Sequence, residues 1–126
     1  MKSQKFFICA RCGNLAGLVL NHGVSLVCCG EKMSVLEANT TEASHEKHLP
    51  VVTVDGNILS VSVGSNAHPM TDEHHIEFVY VETKNGGQRK SLTSGSEPAV
   101  KFALTDDEAV AVYAFCNLHG LWKTEC

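Results

Sequence analysis

Cys9, Cys12, Cys28 and Cys29 supply four sulfurs near the start of this chain, and His48, His68, His74, Cys116 and His119 supply four imidazoles and one thiolate further on. Four thiolates close a tetrahedral site completely, which suits structure or electron storage. Five ligands of mixed type suit an octahedral metal with one place left empty, and an empty place on a metal is where a substrate binds. The two sets read as two metal centres of different purpose, the pattern of a two-centre redox protein.

The first set is built on the knuckle Cys9-Ala10-Arg11-Cys12-Gly13, in which Gly13 lets the backbone turn tightly so that amide N–H groups face the sulfurs. A zinc ribbon or a rubredoxin would set two residues between the opposing cysteines, but Cys28 and Cys29 are adjacent. Both iron and zinc accept tetrahedral sulfur, and the spacing leaves the choice open. Neighbouring side chains of an extended strand point to opposite faces, so these two can share a metal only where the backbone kinks, and Gly30 follows at once. A distorted tetrahedron with an opened sulfur–metal–sulfur angle is expected. This arrangement resembles desulforedoxin, and the resemblance implies a one-iron electron-transfer site.

Three short signatures carry the second set. Glu46-Lys47-His48 leads into Leu49-Pro50, His68-Pro69-Met70 is followed by His74, and Cys116-Asn117-Leu118-His119-Gly120 lies near the C-terminus. Singly, each histidine reads as a surface or hydrogen-bonded residue and Cys116 as core packing. Together they sit at strand ends and in loops, where ligands are commonly presented. A blue-copper site needs two histidines, one cysteine and a weak methionine downstream, yet no Met follows His119. A structural zinc protein explains only the first set, and a pure electron carrier does not use the free position of the second.

These signatures, in this order and with the cysteine knuckle ahead of them, resemble the desulfoferrodoxin form of superoxide reductase over nearly the whole chain. The resemblance implies two iron ions per chain. At the second, His48, His68, His74 and His119 form the equatorial plane, Cys116 is the axial thiolate, and the sixth position is open. Glu46 matches the glutamate that takes that position after oxidation, and Lys47 the lysine beside the open face. Also implied are superoxide as substrate, hydrogen peroxide as product, a rubredoxin-type electron donor, a homodimer and an immunoglobulin-like second domain. His22, His45 and His75 match none of these positions, and Cys126 reads as a free, frayed thiol.

The elements that must position these residues are nearly all strands. Residues 1–37 are a small metal-knuckle domain, with LAGLVL (15–20) and VSLV (24–27) as a hairpin turning at Asn21-His22-Gly23. A piece this short buries too little apolar surface to fold without a metal. Residues 38–47 are polar and read as a linker. From 48 to 126 the strands 51–55, 58–63, 75–83, 88–93, 99–104, 110–115 and 120–124 alternate with turn residues, as in a seven-stranded β-sandwich. TDDEAV (105–110) hints at one helical turn.

A net charge of −4 without a basic stripe argues against general nucleic-acid binding. No apolar run approaches the roughly 20 residues that span a bilayer. Arg11 and Asn14 interrupt the apolar N-terminal stretch too early for a secretion signal, so the six cysteines are expected reduced in the cytoplasm, all but Cys126 on metals.

Overall fold

A computed structural model describes residues 4–126 and divides the chain into two compact units, one ending at Glu37 and one running from Ala38 to Cys126. The all-β expectation holds.

In the first unit β1 (Phe6–Ile8) is the middle of a three-stranded antiparallel sheet, flanked by β2 (Leu15–Gly17) and β5 (Ser34–Val35). A separate ribbon pairs β3 (Val27–Cys28) with β4 (Glu31–Lys32). The hairpin expected from LAGLVL and VSLV does not form. β2 ends at Gly17, where its partner β1 runs out at Phe6. The chain from 18 to 26 is loop, with Val19 97% and Val24 79% exposed. The turn itself is real, since Asn21 Oδ1 accepts the Gly23 N–H at 2.9 Å. Only Phe6 and Cys9 are fully buried among the described residues of this unit, so apolar burial contributes little to its stability.

The second unit is a sandwich of seven strands: β6 (Pro50–Asp55), β7 (Ile58–Val63), β8 (Ile76–Thr83), β9 (Gly86–Ser91), β10 (Ala99–Ala103), β11 (Ala109–Cys116) and β12 (Gly120–Glu125). They form one sheet in the order β10-β7-β6 and another in the order β12-β11-β8-β9. Alternate residues of facing strands make the core: Leu59, Val61 and Val63 of β7 with Phe102, Val79, Val81, Val112 and Ala114. Cys116 belongs to this core and is fully buried. The turn between β8 and β9 falls at Lys84-Asn85, so Gly86 and Gly87 are in the strand. At Gly87 a Cβ would lie 2.0 Å from the Tyr80 hydroxyl oxygen, so any larger residue there would have to displace the Tyr80 ring. Residues 105–110 form no helix: Asp106 has φ +53°, and the Asp107 carboxylate accepts the Asn85 and Glu108 N–H groups. The one helix among the described residues is α1 (His45–His48), a single turn ahead of β6.

Candidate metal centres

In the first unit the four cysteine sulfurs lie within 4.8 Å of one another. Cys9 and Cys12 come from the turn after β1, where Gly13 takes φ +82° and its N–H closes on the Cys9 carbonyl at 2.9 Å. That turn aims the Cys12 N–H at Cys9 Sγ (3.4 Å) and the Asn14 N–H at Cys12 Sγ (3.4 Å). The adjacent cysteines reach one site because Cys28 is the last strand residue while Cys29 is already in the turn. Cys29 (φ +53°) and Gly30 (φ +75°) are both left-handed, the pattern of a two-residue type I′ hairpin joining Cys28 to Glu31. The expected kink therefore sits on Cys29 itself as well as on Gly30.

Sulfurs about 2.3 Å from a common tetrahedral metal lie about 3.8 Å apart. Cys12 Sγ and Cys28 Sγ are 3.6 Å apart and Cys28 Sγ and Cys29 Sγ 4.0 Å, so both spacings fit one shared metal. Backbone N–H groups of Cys12 and Arg11 pull the Cys9 thiol down to about 6. Hydrogen bonds with neighbouring thiols, first Cys12, push Cys28 up and Cys29 up to about 12.

In the second unit the candidate ligands converge from three places: His48 closes α1, His68 and His74 lie in the β7–β8 connection, and Cys116 and His119 bound the β11–β12 hairpin. The donor atoms of His48, His68, His74 and Cys116 lie within 4.8 Å of one another. His119 joins through Nδ1, 3.1 Å from His48 Nε2 and 3.9 Å from Cys116 Sγ. Around the site neighbouring rings meet edge to face, His48–His68 at 4.6 Å, His68–His74 at 4.6 Å, His74–His119 at 5.0 Å and His119–His48 at 4.9 Å. Four imidazoles in a closed ring, with a thiol beside them, are what the sequence leads one to expect.

The protonation pattern tests whether a metal fits. His48 Nδ1 is 2.7 Å from the Ser44 carbonyl and His68 Nδ1 2.7 Å from the Pro69 carbonyl. A carbonyl only accepts, so both Nδ1 atoms carry the hydrogen and both Nε2 atoms of the neutral rings present bare lone pairs. Yet these Nε2 atoms face each other at 3.1 Å, and His48 Nε2 faces His119 Nδ1 at 3.1 Å. Two acceptors that close repel unless a cation lies between them. Nitrogens about 2.1 Å from one metal at right angles are about 3.0 Å apart, so the observed spacing fits. His74 Nε2 is buried with no partner among the described residues, a third lone pair waiting for a cation. Burial pushes His48 and His74 below the ordinary histidine value, and His68 down to about 4, so these rings stay neutral. Burial pushes the Cys116 thiol up.

Sheet irregularity aims the thiol. β11 pairs Phe115 with Phe78 but Cys116 with Ile76, skipping Glu77, and a bulge of this kind redirects a side chain. The three-residue hairpin loop 117–119 closes on Gly120 at φ +78°, and the His119 N–H points at Cys116 Sγ (3.4 Å).

Glu46 and Lys47, both exposed on α1, precede His48. The Glu46 carboxylate accepts from Asn66 Nδ2 at 2.9 Å and is not among the converging donors. The Lys47 charge contributes to lowering both His48 and His74. His45 is exposed and packs edge-on against Trp122, and His75 Nδ1 bonds the Thr71 carbonyl. Cys126 is exposed. Two contributors escaped the sequence reading. Trp122 is fully buried, stacks on His48 at 4.9 Å and donates from Nε1 to the His119 carbonyl at 3.1 Å. Asn117, between Cys116 and His119, bonds the segment that carries His74. Nearness in sequence to His119 was the available signal for both.

The desulfoferrodoxin family model matches residues 40–125. The chain is 42% identical over 121 residues to a desulfoferrodoxin homolog of Archaeoglobus fulgidus, covering 96% of each, and 38% identical to the desulfoferrodoxin of Nitratidesulfovibrio vulgaris, covering 96% of this chain and 95% of that one. Among solved structures, the superoxide reductase of Treponema pallidum superposes with a TM-score of 0.83 at 41% identity, over 98% of this chain and all of that one. The superoxide reductase of Giardia intestinalis, at 29% identity and a TM-score of 0.56, covers 64% of this chain and 97% of its own. With both ligand sets formed and relatives matched along almost its whole length, this chain belongs to the desulfoferrodoxin family.

Proposed function

We propose that this protein is a superoxide reductase, taking superoxide to hydrogen peroxide with one electron and two protons and releasing no oxygen. The observation that carries the reading is the ring of neutral histidine lone pairs with a buried thiol beside them, in a chain 41% identical to a superoxide reductase. Iron is the metal of both sites in this reading, and when bound at the histidine–cysteine site it supplies the electron.

The chain's own residues do the rest. His48 and His68 are held to one tautomer by the Ser44 and Pro69 carbonyls, so their lone pairs need no reorganisation. Cys116, buried in the sandwich core, would hold the metal as a thiolate, whose electron donation would favour release of the product. Lys47 adds a local positive charge that concentrates an anion beside an otherwise acidic chain and is placed to order water for proton delivery. Glu46, whose carboxylate accepts from Asn66, would be the carboxylate available to the oxidised metal once that bond breaks.

The ligand roles are part of the same proposal: Cys9, Cys12, Cys28 and Cys29 on an accessory electron-transfer iron, His48, His68, His74, His119 and Cys116 on the catalytic one. So are the division into 1–37, a connector 38–47 and a reductase domain 48–126, a rubredoxin-type donor, a homodimer and a cytoplasmic setting. No described helix is long and apolar enough to cross a membrane.

The deciding experiment mixes iron-loaded, reduced protein with superoxide in the absence of oxygen. One peroxide per superoxide, with no oxygen, is the expected result. Half a peroxide and half an oxygen would make the protein a dismutase. Decay at the background rate would leave it an electron carrier.

A further inference from the structure

Three of the four histidines at the second site have a local anchor. His48 and His68 donate from Nδ1 to backbone carbonyls, and His119 is held at both ends of its peptide, its N–H on Cys116 Sγ and its carbonyl on the Trp122 indole. The His74 ring has no such bond among the described residues, and its Nε2 is buried without a partner. Its direction is therefore set by where its backbone lies. Thr71 shapes the local turn, its Oγ1 accepting the His74 N–H at 3.1 Å and its N–H meeting the His74 carbonyl at 2.9 Å. Nothing in that turn fixes its distance from Cys116 and His119.

Asn117 does. Its Oδ1 accepts the His75 N–H at 2.9 Å, and its Nδ2 donates to the Glu73 carbonyl at 3.0 Å. Its own N–H reaches the His75 carbonyl at 3.2 Å. One half-buried carboxamide thus grips the chain on both sides of His74, while its Cα sits in the three-residue loop between Cys116 and His119. The grip needs an acceptor and a donor on two separate atoms of one short side chain, which a carboxamide of this length supplies.

We infer that Asn117 is a positioning residue that sets His74 in register with Cys116 and His119, so that the ligand set closes. The inference rests on reading His74 as a metal ligand. It assigns Asn117 no contact with the substrate. Partners that orient ligands are worth about 10–100-fold in metal affinity.

The test uses the full-length chain loaded with cobalt(II). Hyperfine-shifted exchangeable imidazole N–H resonances arise only from the histidine site, and competition with a chelator followed through them gives its affinity. Asn117→Ala is expected to lower that affinity by about 10–100-fold and to shift or broaden the His74 resonance, leaving the His48 and His68 resonances near their original positions. Asn117→Asp keeps the acceptor for the His75 N–H but loses the donor, and should fall between. If Asn117→Ala does not fold, Asn117→Asp decides by the same two readouts. Unchanged affinity and an unmoved His74 resonance, even with a lowered melting temperature, would overturn the inference and leave Asn117 a loop brace. His74→Ala is the control: if it changes neither readout, His74 is not a ligand and the underlying reading fails first.

Discussion

At the scale of single residues, what distinguishes the two centres is how their donors are protonated before any metal arrives. His48, His68 and His74 are held neutral by burial, while the raised Cys116 thiol must lose a proton when the histidine site fills. Release of one proton means that affinity climbs with pH, by about tenfold per unit through the neutral range. The four-sulfur site should climb more steeply, because Cys28 and Cys29 are both raised and each must lose a proton there. Cobalt titrations at three pH values would show the two slopes, and equal slopes would contradict these assignments. Lys47→Ala should slow superoxide capture by about tenfold at low salt, with the gap narrowing as salt is added. A capture rate that does not change at low salt would remove Lys47 from the steering role. Glu46→Ala should spare the capture rate and alter the visible spectrum of the oxidised protein.

At the scale of elements, short turns aim the ligands, and here the sequence was legible only in part. The strands of the sandwich were readable to within a residue or two because β7 buries every second side chain and β11 is an apolar run buried along most of its length. The knuckle was readable from Gly13. The first-unit hairpin was misread because LAGLVL looks like a strand, while its partner strand β1 spans only Phe6–Ile8. The bulge opposite Cys116 left no trace in the residue types, since Glu77 looks like any outward strand residue. Gly64 is another concealed constraint. At φ +86°, a Cβ there would come 2.6 Å from the Lys47 carbonyl oxygen and 2.3 Å from that of Asn66. Gly64→Ala should therefore destabilise the sandwich by about 2 kcal/mol or more and displace the turn that carries Glu46, Lys47 and His48, as melting curves would show. Gly30→Ala meets no neighbouring atom and carries only the cost of a left-handed residue, about 1 kcal/mol.

At the scale of the whole molecule, the two units owe their stability to different things. The second has a continuous apolar core that includes one of its own metal ligands. The first buries little beyond Phe6 and Cys9 among its described residues, so four metal–sulfur bonds would be its main cross-links once a metal is held. A strong chelator under reducing conditions should release amide protection across residues 4–37 while β7, β8 and β11 stay protected, as hydrogen exchange would resolve unit by unit. Protection that survives in the first unit would mean that its short sheets hold without metal. The sequence leads to the same expectation, because so short a segment buries too little apolar surface to close without a metal or disulfides. It could not foretell that Val19, Leu20, Val24 and Val27 would stay exposed in this chain.

Trp122 is the single tryptophan of the chain, and it lies flat against His48 with no exposure to solvent. Any indole emission from this protein therefore comes from a ring in van der Waals contact with one candidate ligand. A dry indole emits toward the blue, and an open-shell metal a few ångströms away drains its excited state. The chain thus carries its own optical gauge of whether the histidine site is loaded. Titrating metal into emptied protein should dim that light in step with filling, with no dye or label attached.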